Sequence, residues 1–341
     1  MVLSTPPVSN SELVSDYNIA GRPIRVEVFD KWAAKWVTTF LNGFQLLQTA
    51  PAINGTSGIK LRVGSAEPRS IPADLPSFAI NHGICYTDGT RYFLAVEESL
   101  IVIDTPSTNL IEVCFGDTPH ARHPIALVNA FSYGLQAALR RTGLYDVHAA
   151  GLLDPASGTA ALFVGSSGSG KTTLTLKLTE SGWRYLSDDM VVLFETPAGL
   201  DFAGLRRLFS VAETSISGSS LARIGEMLGA PVASDPSKRR LEPETAFPDS
   251  RVERCRPRVI FFPRITDEAE TVISPLSARE AMQQFMRFCP WATYDVHTAP
   301  DYLRVLARLA NQCRSYELLA GRDLLRDSRT TAQLLSPYMT V

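Results

Sequence analysis

The run "GSSGSGKT", Gly165 to Thr172, constrains this chain more than any other stretch. It fits the spacing G-x-x-x-x-G-K-[ST]. Apolar "ALFV" precedes it and "TTLTLKL" follows, so a strand should feed a helix through a glycine-rich turn. Glycine tolerates left-handed backbone conformations, which lets such a turn aim its N–H groups inward. Those groups and the start of the helix favour an anion. The sequence therefore predicts a phosphate-binding loop made of Gly165, Ser166, Ser167, Gly168, Ser169 and Gly170, continuing into Lys171, Thr172 and Thr173. Lys171 would reach the β- and γ-phosphates, and Thr172 would offer its hydroxyl to Mg²⁺. Thr173 reads mainly as a residue of the first helical turn.

Downstream, "WRYLSDDMVVLF" places Asp188 and Asp189 side by side between two apolar runs. Adjacent carboxylates repel, and a cation or a proton relieves the repulsion. One could hold Mg²⁺ and the other could accept the proton of an attacking hydroxyl. A solvated acidic turn is the plainer alternative, and which aspartate takes which role stays open. Upstream, "DVHAAGLL" puts His148 at the start of the strand before the loop strand. It either faces the phosphates or is a satisfied structural histidine.

The rest of the chain supplies context. Its 341 residues suffice for two domains, and 45% apolar residues suffice for packed cores. A net charge of −2 shows no basic surplus, so no nucleic-acid partner is expected. The N-terminus lacks the charged and apolar regions of a secretory signal, and no long apolar run suits a membrane span. The five cysteines show no metal or disulfide spacing. A cytoplasmic protein is the expectation.

Residues 1–120 read as a small α+β accessory domain after a loose lead-in of about twenty residues. "RPIRVEVFD" alternates with Ile24, Val26 and Val28 on one side, and "DGT" marks a hairpin. Residues 121–144 form a connecting helix, 145–330 an α/β unit, and 331–341 a tail. Ser277 and Glu280 predict a capping box. The mixed stretch from Val211 to Ser250 reads as a solvated loop, with a lid as the alternative. Lys238, Arg239 and Arg240 of such a lid would meet phosphate or an acidic peptide.

Together, "VHAAGL", "LFVGSSGSGKTTLTLKLTESGWRYLSDDMVVL" and its "GWRYLSDD" element resemble the HPr kinase/phosphorylase family and its phosphoenolpyruvate-carboxykinase-like relatives. The resemblance is strongest over residues 145–200. It implies an α/β P-loop kinase core that uses ATP and Mg²⁺ to phosphorylate a serine hydroxyl. It also implies that Lys171 and Thr172 serve the phosphates and metal, Asp188 and Asp189 serve as metal ligand and base, and His148 lies near the transferred phosphate. The chain departs from the family's later glutamate–arginine signature. Asp201 stands at the acidic position and Ala203 at the arginine, with Arg206 or Arg207 as substitutes. The departure turns expectation from HPr itself toward a divergent kinase of a peptide or small protein, such as a lasso-peptide precursor. A kinase of a small hydroxylated metabolite and a non-catalytic nucleotide-binding regulator are the alternatives. A homo-oligomer is left open.

Overall fold

The computed structural model describes residues 11–340 except 46, 50–57, 67–69, 81, 117–122, 217–219, 233–234 and 290. The chain is a mixed α/β protein with several sheets. It divides into two compact units, Met1–Leu144 with Trp291–Pro300, and Tyr145–Pro290 with Asp301–Val341.

Period-two alternation builds the first unit. Its strands are β1 (Leu13–Ile19), β2 (Arg22–Val28), β3 (Leu47–Thr49), β4 (Ile59–Ser65), β5 (Ser77–Ile80), β6 (Gly83–Thr87), β7 (Arg91–Val96), β8 (Ser99–Ser107) and β9 (Leu110–Phe115). They form one sheet in the order β3-β1-β2-β4-β9-β8-β7-β6-β5, with β4 parallel to both β2 and β9. Ile24, Val26, Val28, Leu61, Val63, Ile111 and Val113 are buried. The helix Pro124–Arg141 lies against β4, β8 and β9. It comes so close that a Cβ on Gly134 would stand 2.9 Å from Val113. The intervening residues carry charge. Asp16–Arg25 (2.8 Å) and Glu27–Arg62 (3.1 Å) pair across strands. Such pairs add little stability singly, but a one-residue slip would exchange the charged and apolar faces, so they help fix register.

The expected loose lead-in is instead partly strand, since β1 pairs with β2 along its whole length. The turn between them uses Ala20 (φ 47°) and Gly21 (φ 85°), and the Gly21 N–H donates to Asn18 Oδ1 at 2.8 Å. The polar residues of β1 obscured it. Trp291–Pro300 belongs with this unit although its sequence neighbours do not. The reason is visible in one pair: Arg141 Nη1 donates to Asp295 Oδ2 at 3.0 Å, with both side chains nearly inaccessible.

The second unit continues with β10 (Tyr145–Val147), β11 (Ala149–Asp154), β12 (Thr159–Val164), β13 (Arg184–Ser187), β14 (Val191–Thr196), β15 (Gly199–Gly204), β16 (Phe209–Ala212), β17 (Pro231–Val232), β18 (Asp235–Leu241), β19 (Arg254–Cys255), β20 (Pro257–Ile265), β21 (Val272–Leu276) and β22 (Arg314–Ala320). Three sheets result: β13-β11-β12-β20-β22-β21, β10-β14-β15-β19 and β16-β18-β17. In the first, β12, β20 and β22 run parallel. β12 is buried along its whole length and β20 from Val259 to Pro263, as strands covered on both sides should be, whereas β22 carries Arg314 and Glu317 and is only partly buried. Phe163 and Phe261 stack on each other and share one core with Leu174 and Leu178 of the helix Lys171–Glu180 and Leu318 of β22.

Residues 331–340 are not a free tail. They complete the helix Ser328–Leu335 and a following turn, and they bury Leu335 and Met339 in that core. The stretch after Val211 is likewise not a plain solvated loop. Its described residues supply most of the β16-β18-β17 sheet. The Ser277–Glu280 capping box is present in both directions. Among the described residues no helix is long and apolar enough to cross a membrane.

Candidate functional site

The site forms at two of the points where the chain crosses between two sheets. One crossing runs from β10 through His148 into β11, so the predicted single strand is two. The other runs from β13 through Asp188 and Asp189 into β14. β10 pairs with β14, and β11 pairs with β13. The last pair in one sheet is Val147↔Val191 and the first in the other is Gly151↔Ser187. The segments His148–Ala150 and Asp188–Met190 are therefore held opposite each other. This places His148 Nε2 2.7 Å from Asp189 Oδ1.

The glycine-rich loop stands beside them. β12 pairs antiparallel with β11, and the Gly165 N–H faces the His148 carbonyl at 3.5 Å. Gly168 (φ 85°) and Gly170 (φ 96°) take the left-handed backbone that the loop needs. Ser166, Ser167 and Gly168 are exposed, whereas Lys171 is only 5% exposed. Its Nζ donates to the carbonyls of Gly165 (2.8 Å) and Ser166 (2.9 Å). Burial lowers the ammonium's pKa, and Asp189 and Asp188 oppose that shift. Ser169 Oγ is buried without a hydrogen-bond partner among the described residues. Thr173 lies in the first turn of the helix.

The two aspartates have different environments. Asp188 is fully buried. Its Oδ2 accepts from Thr172 Oγ1 at 2.9 Å and from the Ser210 N–H at 3.4 Å. Its Oδ1 is buried and has no hydrogen-bond partner among the described residues. Burial and the neighbouring Asp189 charge push its pKa up to about 7, against the pull of Thr172, Ser210 and Lys171. The Asp189 side chain keeps 39% of its surface. Desolvation pushes its carboxyl upward too, but His148, Arg206 and Lys171 outweigh it and hold the group well below the carboxylate range. One carboxylate is thus poised to gain or lose a proton, and its neighbour stays ionised.

Arg206 and Arg240 bring positive charge to the same place. Both feel the two aspartates, and burial lowers the pKa of each guanidinium. Arg240 Nη1 also donates to Ser210 Oγ at 2.8 Å. Of the two arginines suggested by sequence, Arg207 pairs instead with Glu242 at 2.7 Å. Asp201 is held by Arg256 at 3.0 Å and Arg254 at 3.5 Å. Strand alternation divides the basic run on β18. Arg239 bonds the carbonyls of Gly229 and Leu228, while Lys238 and Arg240 point the other way. The sequence offers Arg240 only as one of three basic residues of a lid, because its contact to Ser210 spans thirty residues and depends on the β16–β18 pairing.

Among the described residues no cluster of three His, Cys, Asp or Glu side chains forms a metal cage. Mg²⁺ does not need one. It commonly takes one or two carboxylates and completes its shell with phosphate and water oxygens. A buried, unpartnered Asp188 Oδ1 beside the Thr172 hydroxyl fits that donor set.

No protein-family model matches the sequence, and neither does any curated protein. Among solved structures it has a weak likeness to the Hpr(Ser) kinase/phosphatase from Coxiella burnetii, with 15% identity and a TM-score of 0.23. The match covers 36% of this chain and 59% of that one.

Proposed function

We propose that this protein is an Mg²⁺- and ATP-dependent kinase that phosphorylates a serine hydroxyl of a peptide or small protein. The observation that carries the reading is the pairing of Thr172 with Asp188 and of His148 with Asp189, side by side at one flank of the glycine-rich loop. Binding alone would call for the loop. It would not call for a second, accessible carboxylate kept ionised by a histidine and an arginine.

The loop amides and the start of the Lys171–Glu180 helix bind the phosphates. Lys171 exchanges its two carbonyl partners for phosphate oxygens, which replaces neutral acceptors by charged ones. Thr172 Oγ1 and Asp188 hold Mg²⁺, which when bound neutralises charge on the transferred group. Asp189 orients the acceptor hydroxyl and receives its proton. Its depressed pKa makes it a weak base, which suffices because phosphoryl transfer depends mainly on position and charge neutralisation. His148 fixes the Asp189 carboxylate, and Arg206 and Arg240 offset charge that accumulates around the transferred group. The serine-bearing acceptor is carried over from the family resemblance of the sequence.

The direct test mixes the purified protein with ATP, Mg²⁺ and candidate peptides, and follows ADP release and peptide mass. Transfer should vanish in Lys171→Ala, Asp188→Asn and Asp189→Asn. Undiminished transfer in all three would refute the proposal. Turnover of small hydroxylated metabolites with none of peptides would move the acceptor class.

A further inference from the structure

We propose that Lys238 reads the terminal phosphate of the bound nucleotide, and so distinguishes a nucleoside triphosphate from the diphosphate left after transfer. This rests on the nucleotide-binding reading above.

The placement of β18 carries the inference. Its partner β16 supplies the Ser210 N–H that reaches Asp188, so the β16–β18 pair lies over the carboxylate end of the loop. That is the end where the transferred group must sit, because the residues that handle the acceptor hydroxyl are there. Ser210 pairs with Arg240 in the ladder, and Ala212 pairs with Lys238. Alternation then sends Lys238 to the same face as Arg240, and its Nζ lies 3.2 Å from Ser167 Oγ in the exposed part of the loop.

A serine hydroxyl is a poor final partner for an ammonium. Lys238 is 28% exposed, and its only charged contact among the described residues is Asp235, at 3.1 Å, on its own strand. Lys171 Nζ meets the same loop at the carbonyls of Gly165 (2.8 Å) and Ser166 (2.9 Å). Two ammonium groups that converge on one loop are reconciled by an anion between them. A diphosphate already occupies Lys171 and the loop amides. The additional anion that brings Lys238 into play is the third phosphate.

Calorimetry with Mg²⁺ and either ADP or the β,γ-imido analogue of ATP tests this. Lys238→Ala and Lys238→Met should each weaken the triphosphate analogue by about 10- to 150-fold, the range of one charge-assisted hydrogen bond, and leave ADP within about twofold. Arg239→Ala, on the opposite face of the strand, should leave both affinities unchanged. Equal losses for both nucleotides, or no loss for either, would overturn the assignment while leaving the nucleotide site intact. Failure of the unaltered protein to bind either nucleotide would remove both the kinase reading and this one.

Discussion

Replacing Asp188 by Asn should stabilise the protein and disable it at the same time. The carboxyl is fully buried, and burial with the Asp189 charge raises its pKa from 3.8 to about 7. Unfolded chains release this proton near the ordinary value, whereas the folded protein keeps it until about pH 7. Between those values the folded state binds more protons, so its stability falls as pH rises. Above pH 7 the loss stops growing. At 1.36 kcal/mol per pKa unit its ceiling is about 4 kcal/mol. Asparagine keeps an oxygen for Thr172 and Ser210 but carries no charge, so it escapes the loss.

The assay is thermal unfolding in chelator without nucleotide, at pH 5 and pH 8. At pH 5 the unfolded carboxyl has ionised while the folded one has not, so about a third of the loss is already present and Asp188→Asn should melt about 3–6 °C above the parent protein. At pH 8 the variant should melt higher by about 8–16 °C, since each kcal/mol moves a domain of this size by about 2–4 °C. Added Mg²⁺ and ATP should stabilise the parent and not the variant. A variant no more stable than its parent at pH 8, or one shifted equally at both pH values, would refute the electrostatic account.

Three further outcomes are expected. Asp189→Asn should lower kcat by about 10²–10⁴-fold, the usual contribution of a positioned proton acceptor, with nucleotide affinity in calorimetry nearly unchanged. Asp295→Ala should destabilise the first unit by about 3–5 kcal/mol in denaturant titration, because Arg141 would remain buried without its carboxylate. Ser277→Ala should cost about 1 kcal/mol by removing the cap of the Ala278–Phe288 helix, and should leave phosphoryl transfer unaltered.

What could be read from the sequence was local. The glycine-rich loop announces itself because backbone geometry demands glycine at fixed places, as the left-handed Gly168 and Gly170 show. The capping box spans four residues and needs no tertiary context. By contrast, β1 went unrecognised because Asp16 and Asn18 look like loop residues until Arg25 and the turn at Gly21 supply partners. The sequence puts Trp291–Pro300 inside the 145–330 unit, because the contacts that tie it to the first unit, such as the buried Arg141–Asp295 pair, join residues as far as 154 positions apart. Lys238 and Arg239 are adjacent and chemically alike in sequence. Their opposite placements follow only from β18 being a strand.

The aspartate pair shows why local and distant information had to meet. Side by side, Asp188 and Asp189 are equivalent in sequence, and nothing there ranks them. Their roles separate through partners brought from four elements: Thr172 from the loop helix and Ser210 from β16 to one, His148 from the β10–β11 crossing and Arg206 from beyond β15 to the other. The double crossing between sheets is the cause. It removes His148, Asp188 and Asp189 from the backbone ladders at the same level, frees their side chains to face one another, and leaves Gly165 alongside. A continuous strand would have paired these residues and sent alternate side chains to opposite faces. The break in regular structure is what gathers the chemistry. It also explains how two neighbouring carboxylates acquire pKa shifts of opposite sign.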